Sequence, residues 1–442
     1  MKQGIILILL FSILPLFGAI SCEQRHVRIE KNTYYVSPSG SDRDTGSKSS
    51  PFRTIGKAVS VAKAGDTVLV GTGTYNEQIS FPRDGTFSAR IVVKAEVNAK
   101  PPILDSNNSR LSAFVLNGRN YITIQGFEIT RYTASPIDVT SASNGGTVGL
   151  EVRNNYIHNA GTWEANNRSA GVRLLGTKDV KILDNTITKI SGYAIFAAHH
   201  SAGIRGADDL VVRGNDLSYS GIDIIYGSGY NWIIEGNYLH HTTEPVKESE
   251  HADHIQYCTA DAHRIENANY IIRNNIFAYG YQRANSSNYI IVGGHGRGLI
   301  YNNLMYGGAY NGILIQGSPN VKIFNNTVLE SKNQGIYAYK SGNYSVPSTN
   351  IKVFNNIVLP TSGGAIGTSS NSSSGYEASN NITSGDPKFV DKANRDYRLK
   401  AGSLAIDKGY VNTSKKLPYP ATDLDGRTRV VNGVIDIGVF EY

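Results

Sequence analysis

An all-β solenoid, one coil per repeat with parallel strands stacked coil on coil, is the fold class this sequence predicts, and three observations predict it. From Asn154 onward one phrase recurs: a β-branched run, an Asn pair or near equivalent, then an apolar pair. The copies are GLEVRNNYI, KILDNTI, LVVRGNDL, WIIEGNYL, YIIRNNIF, LIYNNLM, VKIFNNTV and IKVFNNIV. The second Asn of each falls at Asn155, Asn185, Asn215, Asn237, Asn275, Asn303, Asn326 and Asn356, with Asn381 as a ninth, at spacings of 30, 30, 22, 38, 28, 23, 30 and 25. Such a period means one supersecondary unit per repeat, each burying its face only against its neighbours. Second, no repeat carries a long apolar pattern of helical period, which excludes helical repeats, and most repeats are too short for the four strands of a propeller blade. Third, 18% charged residues, 46 Gly and 27 Tyr in 442 residues describe a folded chain rather than a disordered or collagenous one. The coils then stack about 4.8 Å apart. The recurrent Asn sits at the bend after a strand, where it tolerates the left-handed conformation and its amide reaches the equivalent Asn one coil away. These asparagines specify the fold rather than the chemistry.

The elements follow in order. Lys2 precedes an apolar run, Gly4 to Phe17, of export-signal length and too short to span a bilayer. Ala19-Ile20-Ser21-Cys22 resembles the lipobox at which bacterial lipoprotein signals are cut and Cys22 is lipidated. The only other cysteine is Cys258, so no disulfide framework is available. Residues 1–21 are expected to be a lipoprotein signal peptide and 22–32 a polar tether. Residues 33–385 then form the β-helix with its N-terminal cap, and 386–442 a C-terminal closing segment. Within the cap, Thr54 to Ala62 places Ile55, Ala58, Val59 and Ala62 on one helical face, a plug for the open end of an apolar solenoid, and Asp66 to Val70 starts the first coil.

Two stretches carry a family resemblance. Residues 34–79, YYVSPSGSDRDTGSKSSPFRTIGKAVSVAKAGDTVLVGTGTYNEQI, resemble the opening of exported right-handed β-helix proteins, including polysaccharide lyases of the pectate, alginate and chondroitin type. Residues 386–442, with DPKFV, DYRLKAGSLAIDKG and DLDGRTRVVNGVIDIGVFEY, resemble the closing segment of the same group. The resemblance implies an all-β, right-handed parallel β-helix, a single-stranded solenoid with an N-terminal capping helix and a C-terminal closing segment. It implies a polysaccharide as partner, without choosing among lyases, hydrolases, epimerases and binding proteins.

Glycan-active β-helices bind across the outside of a parallel sheet. The aligned strands GVRLLG, YAIFAA, GIDIIYG, HIQYC, YIIVGG, GILIQG and GIYAYK are nearly continuous apolar. Their third column holds Arg173, Asp223, Gln256, Leu314 and Tyr337, which alternation turns outward. Asp223 and Gln256 are then neighbours one coil apart, and a slip of one residue puts His254 there instead. The 38-residue coil carries the densest polar cluster, with four of the ten histidines (His240, His241, His251 and His254) beside Glu244, Lys247, Glu248, Glu250 and Asp253. Its HADHIQ resembles the D-G-I-Q-like strand starts of β-helix carbohydrate enzymes, with His254 in place of a small residue.

β-Elimination on a uronate requires neutralising the carboxylate, removing the C5 proton and protonating the departing oxygen. The expected catalytic residues are His254 or His251 as base, Arg264, Lys247 or Arg283 as neutraliser and Tyr257 or Tyr226 as acid. Asp223, Gln256, Arg173, His295, Arg297 and Tyr337 are the expected substrate contacts, His295 and Arg297 because the glycines around them admit a ligand closely. Asp223, Asp253 and Glu250 are hard oxygen donors suited to Ca²⁺, which is expected ahead of zinc. The acidic cluster followed by a Lys that marks calcium-dependent β-helix pectate lyases is absent, as is the Asn and Glu run of the alginate and chondroitin group. Two other classes stand beside the lyase: a glycoside hydrolase using Asp223 with Asp253 or Glu250, and a noncatalytic glycan-binding solenoid using exposed tyrosines. The net charge of +7 fits an anionic polysaccharide, and dispersed Lys and Arg argue against nucleic acid. The expectation is an exported monomer, held at the bacterial cell envelope by a lipid on Cys22.

Overall fold

A computed structural model of the chain describes residues 31–97, 100–141, 143, 145–162, 169–198, 206–243, 251–258, 269–281, 287–294, 296–411 and 420–442. It is a right-handed parallel β-helix with three long parallel sheets, one of 14 strands and two of 11. Each coil contributes one strand to each sheet in turn. One coil, for example, runs from Glu151–Arg153 in the first sheet through Tyr156–Ala160 in the third to Ala170–Leu175 in the second. No helix among the described residues is long and apolar enough to cross a membrane.

The core follows from strand alternation. In the first sheet Ile124, Val152, Ile182, Val212, Ile234, Ile272, Ile300, Ile323 and Val353 stack in register and are buried. Each such side chain contributes roughly 1.5–3 kcal/mol by leaving water. Where the first sheet bends into the third, the Asn ladder runs unbroken from Asn155 to Asn381. At every rung Nδ2 donates to the Oδ1 of the next coil's Asn at 2.9–3.0 Å. The left-handed conformation belongs to the residue before each rung, as at Asn154, Asp184 and Asn274, with φ of 53°, 55° and 56°. The second Asn was expected there; it is instead the buried rung that carries the amide ladder.

A helix caps the first coils and a C-terminal segment covers one side of the last ones. The helix Ile55–Val61 buries Ile55, Ala58 and Val59, and Ala62 after it, against the first coils. Thr54 Oγ1 caps it by accepting from Lys57 N at 3.1 Å, and the Glu77 carboxylate accepts from the Ile55 and Gly56 amides at 2.9 Å each. The closing segment lies along the outer face of the third sheet. Phe389, Tyr397, Leu399, Ile437, Val439 and Phe440 pack there on Leu304, Leu329 and Ile357. Its anchor is Arg429, fully buried, which donates to Glu441 Oε1 at 2.6 Å and to Asn302 Oδ1 at 2.5 Å.

Candidate active site on the second sheet

The second sheet's outward column is set by register: Asp138, Arg173, Phe196, Tyr226, Gln256, Ile291, Leu314, Tyr337 and Gly367 lie side by side. Arg173, Gln256, Leu314 and Tyr337 share it as the alignment expected. Asp223 does not. Ile225 pairs with Ile255, so Tyr226 stands beside Gln256, and Asp223 lies three residues earlier, beside Asp253. The alignment failed because Ile222, Ile224 and Ile225 form an apolar run with no alternation from which to read the register.

Asp223 and Asp253 belong to a second side-chain ladder, at the bend that leads into this sheet. Asp223 Oδ1 accepts from Asp253 N at 2.8 Å, and Asp253 Oδ1 accepts from Asn288 N and Nδ2 at 2.6 and 2.7 Å. Asn288 Oδ1 accepts from Asn311 Nδ2 at 2.8 Å, and Asn311 Oδ1 from Asn333 Nδ2 at 3.0 Å. An Asn at each rung would serve this ladder fully, because its Nδ2 could donate to the rung before. At 223 and 253 the chain has carboxylates instead, both only 1% exposed. Their outer oxygens, Asp223 Oδ2 and Asp253 Oδ2, are buried without a hydrogen-bond partner. Two adjacent buried carboxylates cost stability through desolvation and mutual repulsion, so the substitution of Asp for Asn is not explained by the fold. Burial and the neighbouring Asp223 charge push the Asp253 carboxyl up to about 7, against the opposing pull of His251.

His251 completes the cluster. Its half-exposed ring holds Nδ1 3.2 Å from Asp223 Oδ1 and 3.3 Å from Asp253 Oδ2. The group opens into a cavity of about 270 Å³ lined also by Gln256, Asn288, Asn311, Gln316, Tyr339 and Tyr344. Gln256 Oε1 is a further buried acceptor without a partner. The Tyr339 hydroxyl accepts from Gln316 Nε2, and burial raises its pKa, so it keeps its proton. Gly293 and Gly317 matter here: a Cβ at either would strike the Tyr344 side chain, which folds back over both coils to wall the cavity.

The remaining expected residues fall elsewhere. His254 is corrected from base to core residue. Alternation turns it inward, fully buried between Phe277 and Tyr289 with Nε2 on Ala278 O at 3.1 Å, and burial lowers its pKa to about 4. Tyr257 is likewise corrected: it packs between Trp232 and Tyr270, donates to Gly229 O, and has no route to a substrate. Arg173 is engaged by Asp138 at 2.9 and 2.6 Å, several coils from the cavity. Arg297 sits exposed at the bend into the first sheet, beside Asn320 and Lys322, on a different groove. Tyr337 is half-buried beside Tyr339. Cys22, Lys247, Glu250, Arg264, Arg283 and His295 lie outside the described residues. Asn288, Asn311, Gln316, Tyr339 and Tyr344 were missed. The signal that finds the first two is an Asp or Asn three residues before the outward column, at 223, 253, 288 and 311 alike. A larger cavity of about 640 Å³ lies over the last coils of the first sheet, where Lys352 and Glu377 pair at 2.7 Å.

Comparison with known proteins agrees with this architecture. A family model described as a Pel9A-like, right handed beta helix region matches residues 34–208, and one described as a right handed beta helix region matches residues 202–383. The uncharacterized protein YwoF of Bacillus subtilis (strain 168) is 28% identical over 218 residues, covering 46% of this chain and 45% of that protein, so the match spans less than half of the relative. Among solved structures, a GH136 lacto-N-biosidase from Eubacterium ramulus superposes with a TM-score of 0.57 at 14% identity, covering 80% of this chain and 68% of its own. The pectate lyase Pel9A superposes with a TM-score of 0.56 at 15% identity, covering 93% of this chain and 96% of its own.

Proposed function

We propose that this chain, a right-handed parallel β-helix protein resembling polysaccharide lyases, cleaves an anionic, uronate-containing polysaccharide by β-elimination in the cavity on the second sheet. The observation that carries the reading is the pair of buried carboxylates, Asp223 and Asp253, standing where asparagines would serve the ladder, with Asp253 and His251 lining a polar cavity. Similarity to a pectate lyase over nearly its whole length is consistent with it.

In this reading Gln256, Asn288, Asn311 and Gln316 hold the sugar hydroxyls, and Tyr344 closes one side of the cavity. Tyr339, which retains its proton, donates to the departing oxygen. The Asp223, His251 and Asp253 donors fit a divalent cation, which would supply the charge that neutralises the uronate carboxylate. Lys247 and Arg264 stand on the segments that continue directly from His251 and Cys258. They remain the residues proposed to neutralise the carboxylate, and accepting the C5 proton, which the sequence reading gave to His254 or His251, is proposed for them as well. Ca²⁺ is the ion proposed from the sequence. Export and lipidation at Cys22 belong to the same proposal, since a polysaccharide substrate lies outside the cell.

One observation favours a second reading. The Asp253 carboxyl, raised to about 7 beside Asp223, has the protonation of a general acid next to a second carboxylate, as a glycoside hydrolase requires. Incubation with alginate, pectate, chondroitin, hyaluronan and neutral glycans, reading absorbance of the unsaturated product and reducing ends together, separates the two. An absorbance rise on an acidic glycan is expected. Reducing ends without absorbance would replace the lyase by the hydrolase, and silence in both would leave a binding solenoid.

A further inference from the structure

We infer that Asp223, His251 and Asp253 form a three-donor site for a first-row transition dication, Zn²⁺ or Mn²⁺, in preference to Ca²⁺. This rests on the proposed reading of the same cavity and goes beyond it by naming the class of ion from the donors.

One oxygen of each carboxylate is taken by the fold: Asp223 Oδ1 receives the Asp253 amide, and Asp253 Oδ1 receives the Asn288 amide and side chain. The other oxygen of each is buried without a hydrogen bond, that of Asp253 lying 3.3 Å from His251 Nδ1. A carboxylate oxygen from each Asp and a His251 ring nitrogen all lie within 4.8 Å of one another, with His251 Nδ1 3.2 Å from Asp223 Oδ1. Three features of the site select the ion. The donor count is small: one free oxygen from each Asp and one imidazole nitrogen, where Ca²⁺ takes six to eight oxygens. Imidazole nitrogen suits zinc and its neighbours rather than Ca²⁺, and carboxylate oxygen is shared by both classes, with Mn²⁺ accepting either. Two of the three donors, His251 and Asp253, line the cavity of about 270 Å³, which leaves coordination positions open, as a reactive metal site requires and a closed structural site does not. Cys258, on the same cavity, is not a donor: burial raises its thiol pKa and it stays protonated.

The ladder also explains why the site can exist preformed. Backbone amides from the next coil hold each carboxylate by its inner oxygen, so the two outer oxygens are fixed one coil apart before any ion arrives. The competing arrangement is a proton in place of the ion, with an imidazolium at His251 bridging the two carboxylates.

The test is ion binding by the whole chain, read separately from catalysis. Protein stripped with chelator is dialysed against Zn²⁺, Mn²⁺ or Ca²⁺ and analysed by elemental mass spectrometry, with Mn²⁺ also followed by electron paramagnetic resonance. About one Zn²⁺ or Mn²⁺ per chain is expected, retained against tenfold excess Ca²⁺. Asp223→Asn, Asp253→Asn and His251→Gln should each weaken it by ~100-fold or more, since each removes a direct ligand where loss of an outer partner alone costs 10–100-fold. The Asn variants keep the ladder's acceptor, so loss of binding is not loss of folding; circular dichroism checks this. Preferential Ca²⁺ binding overturns the inference and leaves the lyase reading standing. No binding of any ion, with an imidazolium signal at His251 persisting above pH 8 by NMR, overturns it in favour of the proton. Tight Zn²⁺ or Mn²⁺ binding without cleavage of any glycan upholds the inference and overturns the function.

Discussion

At the scale of single residues, the contrast between the two ladders separates structure from chemistry. In the first, nine asparagines each accept a backbone amide, eight pass an amide hydrogen to the next coil, and the last, Asn381, donates to Val353 O, so the ladder's amides are satisfied. Asn275→Ala removes the acceptor for Asn237 N and for one of the two Asn237 Nδ2 hydrogens, the other staying on Val212 O. Each orphaned group costs about 1–3 kcal/mol, so the urea midpoint should fall by the equivalent of ~2–4 kcal/mol. In the second ladder the expectation reverses. Asp253→Asn restores a donor toward Asp223 and removes one of two repelling charges, so the metal-free variant should melt higher than the metal-free parent while glycan cleavage is lost. A variant that is both less stable and fully active would show that Asp253 is an ordinary rung. The first ladder was legible because the same residue recurs in the same phrase. The second was not: its rungs mix Asp and Asn at separations of 30, 35, 23 and 22 residues, and its strands are apolar on both faces.

At the scale of elements, the cap helix behaved as its sequence pattern required, with every apolar position of the predicted face buried. A seven-residue helix has little stability of its own. Its Thr54 cap should therefore matter, and Thr54→Ala should lower stability by about 1 kcal/mol, read from chemical denaturation. The closing segment carries a different kind of bond. Arg429 faces Glu441, Asp436 and Asp423, three carboxylates for one guanidinium, and burial opposes the charged form of both Arg429 and Glu441. The Glu441 pKa is pushed up to about 7, above its ordinary value of 4.5. The folded state then binds more protons than the unfolded state between about pH 4.5 and 7, so this group's contribution to stability falls as pH rises through that window. Glu441→Gln should flatten that part of the pH–stability curve, measured by thermal melts at constant ionic strength. An unchanged slope would assign the dependence to other groups.

At the scale of the whole molecule, the fold decides where a polymer can lie. The closing segment covers the outer face of the third sheet over the last coils, and the cavity with the carboxylate pair opens on the second. A chain ending at residue 385 uncovers Leu304, Leu329 and Ile357, an apolar strip along a sheet face. Such surfaces associate, so this truncation should bind hydrophobic dye and aggregate while keeping β-type circular dichroism. A soluble monomer with no added dye binding would mean that the segment covers nothing essential. Most strand contacts are between adjacent coils, so these effects should stay local to the coils that lose partners.

By itself the sequence determined the solenoid, its Asn ladder, the position of the cap helix and the region in which polar groups concentrate. All of these are written in short-range repetition, which a linear pattern records directly. Tertiary structure alone decided which of the acidic and histidine side chains meet. His254 and Asp253 are adjacent in the chain, yet one fills the core and the other faces the cavity. Asp223 and Asp253 are 30 residues apart, yet they touch through one hydrogen bond between coils. Strand register fixes those outcomes, and a buried strand that is apolar on both faces carries no alternation from which register can be read.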